Sequence, residues 1–215
     1  MSSLDPTVLA AWDLSAWLHE PEPPASVGDL DSAERAIGRR LPGALRDLYL
    51  RHDGGSWLGG DLAVLPLLSG GDHSLARASS ALRGWEWPVP EEVVVFGGDG
   101  KGSLFGVWLP RSAARPVVVQ VGEIFEPGCM GVVGEDLNGF LRAWTAYYLQ
   151  PYDEEDDVGP ARDALGLPER LRSDDPDDEL FASVFEWANP SLPASLSDPY
   201  EARLTADDVR RIAEA

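Results

Sequence analysis

A single cysteine, Cys129, stands among 215 residues. That scarcity excludes an internal disulfide and a cysteine-based zinc site, and it fits a packing residue in a reducing compartment. No uninterrupted apolar stretch approaches the roughly 20 residues that a membrane-spanning helix needs. The first residues also lack a basic region followed by an apolar core. Together these absences predict a soluble, cytoplasmic protein. The three histidines, His19, His52 and His73, have no short spacing suited to zinc and form no HExxH pair. The nucleophile pattern GxSxG is missing as well, so Ser56 after Gly54-Gly55 is not a nucleophile elbow. The glycine-rich run from Gly97 to Gly102, with Lys101 inside it, does not satisfy GxxxxGK[ST]. It lies between two expected strands, whereas phosphate cradles lead into a helix, and so it reads as a hairpin turn. Carboxylates are abundant enough to pair by chance, which leaves acid/base catalysis without an argument. No catalytic residue, metal or cofactor is expected, and the chain is read as a non-enzyme.

Acid is what the chain has in excess. Its formal net charge is −20, and from Pro151 onward 18 acidic residues face 6 basic ones, so a net −12 sits in the tail and −8 in the first 150 residues. Such a field repels phosphates, which argues against direct nucleic-acid binding, and attracts a basic protein partner. Apolar residues make up 44% of the chain, enough to bury one full core and too many for a disordered protein. Tryptophan is frequent, with eight copies. Trp108 and Trp144 fall in strand and helix patterns and read as core. Trp57 follows a glycine turn, and Trp85 and Trp87 lie in a proline-bounded loop.

The most informative stretch runs from Ala33 to Gly55. Leu30, Ala33, Glu34 and Ile37 follow helical spacing, Gly38 supplies a left-handed residue that closes the helix, and Leu41-Pro42 starts a second helix with Pro in its first turn. Leu45, Leu48 and Tyr49 line one face of that helix. His52-Asp53-Gly54-Gly55 then ends it in a turn requiring positive φ. This order of Glu34, Gly38, Leu41, Pro42, Leu48, Asp53, Gly54 and Gly55 resembles the opening of the SUKH superfamily, the fold shared by fungal cell-wall assembly regulators and many bacterial immunity proteins against toxins.

The rest of the chain agrees with that resemblance. Glu92 to Leu109 reads as a β-hairpin, Pro116 to Val121 as a third strand, and Asp136 to Leu149 as a helix closing over the sheet, with Leu137, Phe140, Leu141, Trp144, Tyr147 and Tyr148 at spacings of three and four. Asp5-Pro6 caps a helix running to about His19, with Leu9, Trp12 and Ala16 on one face, and Glu20 to Ala25 reads as a proline linker. In the tail, Leu180, Phe181, Val184, Phe185 and Trp187 suggest partial helix, and Thr205 with Asp208 resembles a capping box that starts a last helix. The expected fold class is α+β: a central, mostly antiparallel sheet with flanking helices, an N-terminal helix and linker over residues 1–26, a SUKH-like domain over 27–150, and an acidic, partly helical extension over 151–215.

The resemblance implies an immunity function, in which the chain neutralises a cognate, basic toxin by stoichiometric occlusion. An Ala-, Arg-, Gly- and Pro-rich composition points to a bacterial source. Exposure and charge arguments, not the family, nominate Trp57, Asp61, Trp85, Glu86, Trp87 and Asp99 as a partner-binding loop surface near one end of the sheet. Asp153, Glu154, Glu155, Asp156 and Asp157 are expected to steer the partner. A regulatory scaffold without inhibitory action and an enzyme using carboxylates are the alternatives.

Overall fold

The computed structural model describes residues 3–69, 71–84, 89–110, 115–122, 125, 128–152, 157–173, 176–196 and 203–215. Among these residues seven strands follow one another across a single sheet in chain order, and every neighbouring pair is antiparallel. They are β1 (Glu20–Pro21), β2 (Gly55–Trp57), β3 (Leu62–Val64), β4 (Val93–Gly98), β5 (Ser103–Trp108), β6 (Val117–Gly122) and β7 (Gly131–Gly134). With the helices around it the fold is α+β, as the sequence predicts. β4 and β5 are the expected hairpin. Asp99 shapes its turn by accepting hydrogen bonds at Oδ1 from the N–H groups of Lys101 (2.8 Å) and Ser103 (3.0 Å).

The apolar runs Val93–Phe96 and Val117–Val119 do not alternate with polar residues because both faces of the sheet are covered. Val94, Phe96, Phe105, Val107, Val118 and Val133 face one side. There they meet α5 (Leu137–Tyr148) and, beyond it, α7 (Asp178–Ala188). An aromatic seam joins the three layers: the Phe105 ring lies 4.8 Å from Trp144, which lies 6.0 Å from Phe181. Val93, Val95, Trp108, Val117, Val119 and Val132 face the other side. That side is covered by α4 (Leu75–Ala81) and by Val209 and Ala213 of α8 (Ala206–Glu214).

The tail is therefore part of the core. Arg162, on α6 (Gly159–Leu165), is buried and donates to the carbonyls of Leu149, Gln150 and Tyr152, in the chain that leaves the end of α5. Asn189, at the end of α7, accepts from the Glu135 N–H at 2.8 Å. The Thr205–Asp208 capping box is present and opens α8.

The amino-terminal segment departs from expectation in two places. Asp5 caps α1 (Pro6–Leu14) as anticipated, but the α-helix stops at Leu14 and Ala16–Leu18 tightens into a 3-10 turn. That change of pitch turns Leu18 inward and leaves Ala16 exposed, off the face of Leu9 and Trp12. The proline linker is in fact an edge strand, since Glu20 and Pro21 pair with Ser56 and Gly55. An edge position tolerates proline because it needs no ladder donor on its open side.

Candidate functional site

The motif residues of the Glu34–Gly55 stretch are occupied in holding the fold. Glu34, on α2 (Val27–Ile37), accepts the Leu41 N–H at 2.8 Å and ion-pairs with Arg46 of α3 (Gly43–Tyr49) at 2.5 Å, so one carboxylate fixes the angle between the two helices. Gly38 is left-handed with φ 71° and closes α2. Pro42 sits one position earlier than expected, at the cap before α3. Leu41 and Leu48 are buried, and Asp53 accepts the Leu67 N–H at 2.8 Å. Gly54 and Gly55 take φ values of 93° and 126°. Partner recognition has to be sought elsewhere.

A cluster of charged and aromatic side chains lies at one end of the sheet, where the β2–β3 and β4–β5 loops meet the end of α5. Lys101, the only lysine in the sequence, lies with Nζ 2.5 Å from Asp61 Oδ1 and 5.7 Å from the centre of the Tyr148 ring. The Asp61 hydrogen bond raises the Lys101 ammonium above its ordinary range. Behind Asp61, its backbone carbonyl accepts from Trp144 Nε1 at 2.9 Å, which anchors the loop to the core. Tyr147 packs edge-on against Tyr148 at 5.3 Å, and burial followed by the nearby Asp178 and Asp177 pushes its phenol up. Trp17 is 57% exposed and meets Tyr152 edge-on at 5.2 Å. The Tyr152 hydroxyl in turn lies over Gly59, so all of these groups share one surface.

Asp61 and Asp99 therefore do come together, bridged by Lys101, but Trp57 does not join them. Trp57 is 1% exposed and packs against Trp12 at 5.5 Å and His52 at 6.0 Å. It belongs to β2 and faces inward under α1, so its nomination as an exposed anchor is corrected. Asp157 is exposed and holds a left-handed backbone with φ 55°. Trp85, Glu86, Trp87, Asp153, Glu154, Glu155 and Asp156 lie outside the described residues. The sequence reading missed Trp17, Lys101 and Tyr152. Trp17 had a usable signal: five residues separate it from Trp12, too far around a helix for both rings to share one buried face.

His19 holds the β2–β3 loop from below. Its Nδ1 accepts the N–H of Leu58, a buried residue with φ 56°, at 3.1 Å, while Nε2 lies 3.1 Å from Ser15 Oγ. Burial pushes the imidazole down to about 4, with the Leu18 backbone opposing in part. The native ring is thus neutral where an unfolded one, titrating near 6.5, takes up a proton. Its contribution to stability is complete above pH ~6.5 and is lost as pH falls toward 4. We expect the His19 imidazole to titrate near 4 by NMR. His19→Gln should flatten the acid limb of the stability curve in that window, and a His19 midpoint near ~6.5 would refute the buried, neutral assignment.

Among the described residues no three His, Cys, Asp or Glu side chains are grouped to hold a metal, and no helix is long and apolar enough to cross a membrane. The architecture is that of an α+β domain whose sequence motif serves its own turns. Residues 24–143 match the SMI1 / KNR4 family (SUKH-1), and the chain belongs to that family. No match was found among curated proteins.

Proposed function

We propose that this protein is an immunity-type binding protein, bacterial and cytoplasmic, that neutralises a cognate basic toxin, such as a nuclease, by one-to-one occlusion without turnover. The observation that carries the reading is the exposed Trp17 ring, edge-on to the half-buried Tyr152 and set beside Asp61, Asp99 and Lys101 on a chain of net charge −20. Family membership supports it, since such domains fit immunity or SMI1/KNR4-like roles. The acidic field accelerates encounter with a basic partner, and the aromatic pair provides the desolvated centre that holds the complex. Trp85 and Trp87 are proposed as further anchors. Asp153 to Asp157 are proposed as the steering element.

The test is a titration of the toxin encoded beside this gene. Silencing should require at least one equivalent, and association should slow as salt rises through the physiological range, where screening acts within about 8 Å. Trp17→Ala should weaken binding by about 2 kcal/mol, roughly 30-fold in Kd. Silencing by far less than one equivalent would mean catalysis and would overturn occlusion. Binding without silencing would instead fit the regulatory scaffold.

A further inference from the structure

Four of the 17 basic residues of this acidic chain, Arg35, Arg39, Arg40 and Arg46, line one open groove of about 810 Å³ between α2 and α3. The remaining lining residues are Asp31, Glu34 and Gly38. We infer that this groove docks an acidic peptide segment of a protein partner.

Two carboxylates, Asp31 and Glu34, face the four arginines of the groove, so the lining carries an excess of positive charge. Glu34 is engaged by Arg46 and the Leu41 N–H, so it neither repels an incoming anion at full strength nor quenches the other arginines. Arg35 uses Nε and Nη2 on its own helix, toward the Asp31 carbonyl (3.1 Å) and Ser32 Oγ (2.9 Å). Arg39 donates through Nη1 to the Leu109 carbonyl. Arg40 is exposed and has no partner among the described residues. None of Arg35, Arg39 and Arg40 is therefore paired with a carboxylate of its own protein among those residues.

Helix stabilisation does not account for them. A cation in the last turn complements the helix dipole, which explains Arg35, but the effect fades within that turn. Arg39 and Arg40 stand beyond the Gly38 cap. What the three guanidiniums offer is a set of planar donor forks matched to carboxylates. The groove carries no aromatic ring on which a base could stack, and the chain's field opposes a long polyanion. A short run of Asp and Glu side chains spread along an open groove meets the local positive charge without crossing the wider acidic surface. The groove is separate from the Trp17–Lys101 surface, so this inference stands independently of the toxin reading.

The experiment is fluorescence anisotropy with a labelled Glu-rich peptide on the full chain, at about 0.15 M salt. The acidic peptide should bind and its Gln-substituted twin should not. Arg35→Gln with Arg40→Gln should weaken binding at least tenfold with an unchanged melting curve, and Trp17→Ala should leave it unaltered. Absence of acidic-peptide binding overturns the inference, as does equal binding by the double arginine variant. Displacement of the peptide by inorganic phosphate at equal concentration would also overturn it, reassigning the groove to a small anion. Tighter binding of a single-stranded oligonucleotide than of the peptide would overturn it too.

Discussion

A chain ending at Gln150 should fail to fold cooperatively, although residues 24–143 carry the whole family match. The cut removes Leu165, Leu167, Leu171, Phe181 and Val184 from the first face of the core, and Val209 and Ala213 from the second. It also removes Arg162, which donates to the carbonyls of the chain leaving α5. Each large apolar side chain is worth about 1.5–3 kcal/mol when fully buried, and a whole domain is stable by only about 5–15 kcal/mol. Losing several such side chains at once exceeds that margin. Thermal unfolding followed by circular dichroism should show no sharp transition for the shortened chain, and its exposed sheet should bind a hydrophobic dye. Removing only residues 203–215 should give an intermediate case, with the first face intact and the second left to α4. A chain ending at Gln150 that melts within a few degrees of the full protein would show the extension to be an attachment.

The second large effect is expected at Gly55. A Cβ there would lie 2.6 Å from the Glu20 carbonyl oxygen and 2.7 Å from the Pro21 Cα, both backbone atoms that cannot swing aside, and φ is 126°. Gly55→Val therefore combines backbone strain of about 1–3 kcal/mol with overpacking of about 1–3 kcal/mol. The sum is about 3 kcal/mol or more, a fall in Tm on the order of 10 °C for a chain of this size. Gly38→Ala is the control, since that glycine is also left-handed, at φ 71°, but has no atom within 4 Å of where a Cβ would stand. It should cost only the conformational term, about 1–2 kcal/mol. Equal losses at the two sites would mean that the close approach of β1 to β2 contributes nothing.

These two predictions divide along the line between what was legible in the sequence and what was not. The helix–glycine–Leu-Pro–helix–Gly-Gly passage could be read because each of its residues answers a local need: a helix closure at Gly38, a helix start at Pro42, and positive φ at Gly54 and Gly55. The same holds for the β4–β5 hairpin and for the caps at Asp5 and Thr205, whose partners lie within a few residues. The candidate surface was only half legible. Asp61 and Asp99 were nominated at the sheet end by exposure and charge, but Lys101 between them and Trp17 beside Tyr152 were not.

By itself the sequence determined the family, the succession of α2, α3, the β4–β5 hairpin, β6 and α5, and the acidic character, since each depends on residue type and short spacing. Only the tertiary structure decided which tryptophan is a surface group. Trp57 and Trp17 are equally apolar, and their exposures of 1% and 57% differ because Trp12 and His52 pack over one while the other meets Tyr152 edge-on and stays open to solvent. Likewise, Glu20-Pro21 became a strand only because Gly55 and Ser56 lie alongside it. The acidic extension became core because two sheet faces, rather than one, needed covering. Burial is a property of what distant segments bring to a residue, and local spacing carries no record of it.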